Sequence, residues 1–256
     1  MNKTELGSID TQIDVRGVAT ITFAHPAHNS LPGRLLKKFA DAITAAGENP
    51  DIKVIIIKSA GERTFCAGAS FDELISIKDY ETGKKFFMGF ANVINAMRKC
   101  PKFIIGRVQG KAVGGGVGLA SAMDYCMATK YASVKLSELA VGIGPFVVGP
   151  AVERKLGKSA MTLLAINATE WKTAKWAHKK GLFDELFDEI GYMDDYIDVL
   201  AGRLANSNPE AMRLLKKAFW EEVDHWDELL EKRAEMSGKL ILSDYAVNAI
   251  SKFKGK

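Results

Sequence analysis

The apolar positions of the 256-residue chain change period repeatedly, and those changes outline its elements. Ile9–Arg16 and Val18–Phe23 are apolar-rich segments around Arg16-Gly17, which predicts a hairpin. His25-Pro26-Ala27-His28-Asn29-Ser30 is turn-rich; Ser30 is a candidate cap for the next helix, with Pro32 in its first turn. Leu35, Leu36, Phe39, Ala40 and Ile43 give that helix one apolar stripe, and Glu48-Asn49-Pro50-Asp51 ends it. Val54-Ile55-Ile56-Ile57 is apolar and β-branched throughout, as expected of a strand covered on both faces. Small residues fill Ser59–Ser70; Phe71–Ile77 and Lys84–Arg98 follow as helices and Phe103–Val108 as a strand. Tyr125–Thr129 and Ser133–Leu136 are short strand candidates, followed by Glu138 and the apolar, glycine-bearing loop Val141–Phe146. Val152–Leu156, Ser159–Asn167 and Thr173–Lys180 read as helices, the last closed by Gly181. From Tyr192 onward the period is helical, broken at Asn206-Ser207-Asn208-Pro209. Strand and helix therefore alternate over residues 1–190, which argues an α/β core, and residues 191–256 form a helical region.

The chemistry concentrates where Phe103–Val108 runs into Gln109-Gly110-Lys111-Ala112-Val113-Gly114-Gly115-Gly116-Val117-Gly118-Leu119. A buried strand, a glycine loop and a helix start stand in series there. Glycines let backbone N–H groups approach a ligand, and a helix N-terminus adds positive potential. The spacing is not a dinucleotide fingerprint: counted from Gly114 or Gly116, G-x-G-x-x-G fails at Leu119 and Ser121. Nor is there a phosphate loop, because Val152 stands where the first glycine before Gly157-Lys158-Ser159 is needed. The plainer alternative is a tight packing turn, but three consecutive glycines carry an entropic cost that favours a functional reason.

Glu138 sits among Leu136, Leu139, Val141 and Ile143. It reads either as a solvated carboxylate or as a partly buried one whose pKa rises toward the range useful for proton transfer. Cys66, in Phe65-Cys66-Ala67-Gly68-Ala69, reads as a small buried residue rather than a nucleophile. His25, His28, His178 and His225 lack metal-ligand spacing, so no metal site is expected.

Composition narrows the classes further. The chain is 47% hydrophobic and 26% charged, enough for a sizeable core without disulfides or structural metal. The net charge of +4 reflects a slightly basic surface or an attraction to a polyphosphate ligand; no basic stripe interleaved with aromatics points to nucleic acid. No apolar run reaches the roughly 18 residues a membrane helix needs, and no membrane partner is expected. The start, Met1-Asn2-Lys3-Thr4-Glu5, lacks a secretion pattern, and three cysteines without pairing or metal spacing fit a reducing compartment, so a cytoplasmic protein is expected.

Together these stretches resemble the crotonase superfamily, the enoyl-CoA hydratase and isomerase proteins. Thr64–Leu74 resembles the family's F-C-A-G-A-D block, Val108–Asp124 its G-x-A-x-G-G-G block with a helix ending in Asp, and Leu136–Pro145 its P-E-x-x-x-G-I-x-P block. The resemblance implies a crotonase-like spiral of repeated ββα units. It implies a C-terminal helical region, residues 191–256, that serves oligomerisation and covers the coenzyme A site, and a homotrimer or dimer of trimers. It implies an acyl-CoA substrate and no cofactor, with the thioester oxygen held by the N–H groups of Ala69 and Gly115 and with Glu138 as proton carrier. It further places the coenzyme A adenine and pantetheine along Pro26, Ala27 and His28 and the loop around Ala67, sets Gly68, Gly114, Gly118 and Phe146 against substrate, and brings Lys252 and Lys254 near the phosphates. A base that moves a proton between carbons needs a dry pocket, which Val117, Phe146 and Val147 are expected to help form.

The chain departs from the family at one position. Enoyl-CoA hydratases carry a second glutamate where this chain has Gly118. Hydration must both activate and hold a water, whereas one carboxylate suffices to move a proton between two carbons. The leading expectation is therefore a Δ3-to-Δ2 enoyl-CoA double-bond shift. The alternatives are a hydratase drawing its second acid or base from Asp72 or Glu73, another reaction of the superfamily such as acyl-CoA hydrolysis or decarboxylation, and a catalytically silent binding protein.

Overall fold

The computed structural model describes residues 6–254, with side chains described to residue 252. The N-terminal stretch Met1–Glu5 and the side chain of Lys254 lie outside the described residues. The expected hairpin is β1 (Ser8–Ile13) and β2 (Val18–Ala24), antiparallel. Asp14 closes it by accepting from the N–H groups of Arg16 (2.9 Å) and Val18 (3.0 Å). Then follow α1 (Gly33–Glu48), β3 (Val54–Ser59), β4 (Thr64–Cys66), α2 (Phe71–Ser76), α3 (Tyr80–Lys99), β5 (Phe103–Val108), β6 (Lys111–Val113) and α4 (Gly115–Ala122). β7 (Tyr125–Thr129) and β8 (Ser133–Lys135) lead to a single 3-10 turn, Leu139–Val141. The remainder is α5 (Gly149–Leu156), α6 (Lys158–Ile166), β9 (Lys172–Thr173), α7 (Ala174–Lys179), β10 (Glu185–Phe187), α8 (Ile190–Ala205), α9 (Pro209–Phe219), α10 (Trp226–Leu240) and α11 (Asp244–Lys254).

The strands form two sheets, ordered β1-β2-β3-β5-β7-β10 and β4-β6-β8-β9. The chain spirals: β3, β5 and β7 each join the large sheet in parallel, and the strand after each, β4, β6 or β8, joins the small one. This is the expected mixed α/β spiral. The short strands β4, β6, β9 and β10 escape the hydrophobic pattern because two or three residues show no period.

Around its central strands the large sheet is covered on both faces, which accounts for the unbroken apolar run at β3. Ile55, Ile57 and Ile104 belong to the main core with Leu36, Phe39 and Ile43 of α1. Val18, Val54, Ile105 and Met127 point the other way, onto Met193, Ile197, Ala201 and Ala205 of α8. Within the C-terminal helical region, then, α8 covers one face of the large sheet. α10 lies along α3 at close range: a Cβ on Gly83 would come within 3.0 Å of the Gly238 carbonyl oxygen.

One local expectation fails. Ser30 does not cap α1; its hydroxyl meets His25 Nδ1 at 3.1 Å, and Pro32 occupies the cap position without a side-chain bond. The helix start is satisfied from a distance instead, by Glu73 Oε2 accepting from the Gly33 N–H at 2.7 Å. Pro32 sets the chain direction so that Ser30 turns away from the first helical N–H groups.

α9 is fastened to β5 and α4 by a buried ion pair. The side chains of Asp124 and Lys216 are 5% and 3% exposed and in direct contact. Asp124 also accepts from the Ile104 N–H (2.8 Å) and the Trp220 indole N–H (2.9 Å). Removing one member of such a pair strands the other charge in the core. Asp124→Ala is expected to lower stability by about 3–5 kcal/mol in a denaturant titration, and adding Lys216→Met is expected to return part of that loss.

Candidate active site

Three segments far apart in sequence meet at one end of the small sheet. The turn after β2 puts His28 and Asn29 in the left-handed region, with φ of +53° and +57°. Asn29 Nδ2 donates to the carbonyls of Ala60 (2.8 Å) and Thr64 (2.9 Å), which locks the turn onto the loop entering β4. The Ala67 N–H donates to the His28 carbonyl (3.1 Å) and the Leu31 N–H to the Gly68 carbonyl (2.8 Å), so residues 67–69 are held on their outer side.

On the inner side they press on the glycine stretch. Gly68 has φ +84°, and a Cβ there would lie 2.8 Å from the Val113 carbonyl oxygen and 3.3 Å from the Gly115 nitrogen. Gly114, at φ +50° and ψ −113°, turns the chain from β6 into α4 in a conformation that side chains resist. A Cβ on Gly116 would lie 2.6 Å from the Cys66 carbonyl oxygen, and one on Gly115 would collide with the Phe90 ring. The consecutive glycines are thus a packing requirement as well as a ligand-facing one. As the first residue of α4, Gly115 has no intrahelical acceptor for its N–H. Among the described residues no acceptor receives the N–H of Ala69 or of Gly115.

Glu138 leaves β8 and opens the 3-10 turn, with its carbonyl accepting from the N–H groups of Val141 and Ile143, each at 3.1 Å. This holds the backbone while the side chain folds inward over Gly114, where a Cβ would come within 2.9 Å of Oε1. The residue as a whole is half-buried, yet Oε2 is buried and makes no hydrogen bond. Burial pushes the carboxyl from 4.5 up to about 7, opposed weakly by its own backbone N–H. The second of the two alternatives for Glu138 is therefore the one realised.

The carboxyl faces a cavity of about 60 Å³, lined from the loops by Ala67, Gly68, Ala69, Gly114 and Gly115. Its apolar wall comes from Leu74, Phe87, Phe90, Phe146, Val147 and Val148. Glu138 is the only ionisable group among the described residues lining it. Of the residues expected to act, Glu138, Ala69, Gly115, Ala67, Gly68, Gly114 and Phe146 are brought together.

Others are not. Gly118 does not line the cavity: a Cβ there would lie 2.5 Å from Val148 Cγ1, so Val148 fills that space and faces the cavity in its place. Val117 is fully buried in the core, and the expected dry wall is Phe146 and Val147 without it. Pro26, Ala27 and His28, expected along the coenzyme A moiety and not the acyl group, lie exposed on the turn behind Ala67, outside the cavity. Glu73 is occupied with the start of α1 and borders a separate groove between α1 and α3, and Asp72 does not line the cavity. Lys252 is exposed on α11. Cys66 is pushed up to about 12 by burial, which removes it as a nucleophile. No metal-binding group of side chains occurs among the described residues. No described helix is long and apolar enough to cross a membrane.

Phe87, Phe90 and Val148 carry no signal in the sequence beyond their apolar character. On α3 the phenylalanines continue an ordinary core stripe, and only the meeting of α3 with α4 turns two of them toward a ligand space.

Two outcomes follow from this geometry. Gly118→Glu forces a side chain and a charge into the space of Val148, and is expected to cost about 3 kcal/mol or more. Val148→Ala in the same chain should restore about 1 kcal/mol, read from denaturation midpoints. The second concerns pH. The folded Glu138 carboxyl keeps its proton to about pH 7, while the unfolded one releases it near 4.5. Folding therefore takes up a proton between these values, and this group's contribution to stability is full below pH 4.5 and lost as pH rises to 7. Glu138→Gln should match the parent near pH 4 and exceed it by about 1–3 kcal/mol at pH 8 in thermal or chemical unfolding.

Comparison with known proteins agrees with this architecture. The sequence profile of the Enoyl-CoA hydratase/isomerase family matches residues 14–255. The chain is 27% identical over 240 residues to a probable enoyl-CoA hydratase of Bacillus subtilis, covering 93% of each protein. It is 25% identical to the peroxisomal Delta(3,5)-Delta(2,4)-dienoyl-CoA isomerase of Arabidopsis thaliana, covering 88% of this chain and 86% of that one. The crystal structure of an enoyl-CoA hydratase from Bacillus halodurans superposes with a TM-score of 0.88 at 19% identity, over 95% of this chain and 99% of that one, which establishes the fold. The chain is an enzyme of the crotonase superfamily and belongs to the enoyl-CoA hydratase/isomerase family.

Proposed function

We propose that the protein shifts the double bond of a 3-enoyl-CoA to the conjugated 2-position, with Glu138 carrying the proton. The observation that carries this reading is a carboxyl that is buried, unpartnered at Oε2 and raised to about 7, beside two backbone N–H groups that have no acceptor among the described residues. The Glu138 carboxylate removes a proton from C2 of the thioester. The electrons pass to the thioester oxygen, which the N–H groups of Ala69 and Gly115 stabilise as its charge develops; one such donor is worth roughly 3 kcal/mol in acyl-transfer enzymes. The protonated Glu138 then returns the proton at C4, and the double bond settles between C2 and C3.

Among the described residues no second carboxylate lines the cavity, which supports this assignment over hydration. The position that hydratases of the resembled family give to a glutamate is Gly118, its space taken by Val148, and neither Asp72 nor Glu73 stands at the cavity. A dry wall also suits proton return, because it keeps water from competing for the enolate. A homotrimer or dimer of trimers belongs to the same proposal on the resemblance, and a cytoplasmic location on the three cysteines without pairing or metal spacing.

The test offers purified protein a 3-enoyl-CoA and, separately, a 2-enoyl-CoA, and follows the conjugated thioester by absorbance. Conjugation appearing from the first supports the double-bond shift, while loss of conjugation with water uptake from the second replaces it by hydration. Glu138→Gln should lower kcat by about 10²–10⁴-fold. Because the carboxylate is the working form, kcat/KM should rise with pH through about 7 and level above it. Full activity in Glu138→Gln would remove this residue from the mechanism.

A further inference from the structure

Resting on the acyl-thioester reading above, we infer that the pocket is built for short acyl groups of about four carbons, and that Phe90 and Val148 set the limit. The cavity measures about 60 Å³. One water-sized sphere takes roughly 10–15 Å³, so the space holds about four to six non-hydrogen atoms. A butenoyl group has that many: the carbonyl carbon and oxygen and three further carbons. A hexenoyl group, with seven, exceeds it.

The limit holds only if the wall cannot yield, and the packing behind it is tight. Phe90 lies with its ring against the backbone of Gly115, leaving no space even for a methyl group there. Behind it Phe86 meets Phe90 edge-on at 6.2 Å and Phe87 at 5.4 Å, all three rings being buried. Such edge-to-face pairs fix ring orientation. α3, which bears them, is pinned from outside by the close crossing of Gly83 on Gly238 of α10. Val148 closes the other side. Its Cγ1 sits where a side chain of Gly118 would be, so it cannot retreat toward α4 without meeting backbone. Interiors packed at this density do not open by a methylene or two without strain.

The same two residues border the groups that do the chemistry. Phe90 touches the helix start carrying the Gly115 N–H, and Val148 takes the place of a second carboxylate. The wall that dries the cavity is thus also the wall that shortens the acyl group.

The experiment measures kcat/KM for but-3-enoyl-, hex-3-enoyl- and oct-3-enoyl-CoA, together with calorimetric affinity for the unreactive butanoyl- and octanoyl-CoA. The parent is expected to lose at least 30-fold in kcat/KM from four to eight carbons and to bind butanoyl-CoA more tightly. An open pocket would do the reverse, since a longer tail buries more apolar surface. Val148→Ala should raise the six-to-four-carbon ratio at least tenfold. Phe90→Leu, a milder change in the core than truncation to Ala, should do the same. Octanoyl-CoA bound as tightly as butanoyl-CoA by the parent, or ratios unchanged in both variants, would overturn the length limit and leave the double-bond shift standing. The expected order of affinities without any double-bond shift would uphold the limit and sink only the reaction. Failure of every thioester to bind would overturn both.

Discussion

The structure depends on a carboxyl held out of water by contact with a backbone that has no side chain. Glu138 folds over Gly114, its Oε2 unpartnered, and burial raises it to about 7. A carboxyl so placed costs stability, and the fold sustains that cost with a large continuous core and a large sheet covered on both faces around its central strands. Without the bare backbone at 114 the side chain would have nowhere to go but solvent, and its pKa would return toward an ordinary carboxylate value.

Bringing that backbone into place is the task of the two-sheet spiral. Each circuit lays a long strand in the large sheet and a short one in the small sheet, so successive strand ends recur at the same edge. The loops after β4, β6 and β8 then converge, and they supply Ala67–Ala69, Gly114–Gly115 and Glu138 respectively. The close fit of Gly68 on Val113 and of Gly116 on Cys66 fixes their spacing to fractions of an ångström, because any Cβ would break it. Precision here comes from backbone packed on backbone, with the Asn29 side chain tying the outer turn to the loop entering β4.

The region after residue 190 is bound into this arrangement at several points. α8 covers one sheet face, α9 is fastened through the Asp124–Lys216 pair, and α10 steadies the helix whose phenylalanines wall the cavity. Electrostatics, packing and chemistry therefore share elements: the Asp124 that ends the run from α4 is also the anchor of α9.

What the sequence determined by itself were the features that short-range physics enforces. The β-branched run at β3, the amphipathic stripe of α1 and the glycine stretch each announce one local structure, and Glu138 is legible because a single charge stands in an apolar loop. Ordered motifs made the family resemblance legible as well. Tertiary structure alone decided the rest. Ser30 matched a helix cap in sequence but lost that place to Glu73, which lies forty positions beyond the Gly33 N–H it accepts from and whose approach no local pattern encodes. Gly118 looked like a vacancy until Val148, thirty residues on, was found in it. Phe87 and Phe90 read as core stripe and became the boundary of a ligand space only when α3 met α4. Period and composition report which side of an element is dry; which distant side chain lies across that dry face is settled by the packing of the whole chain.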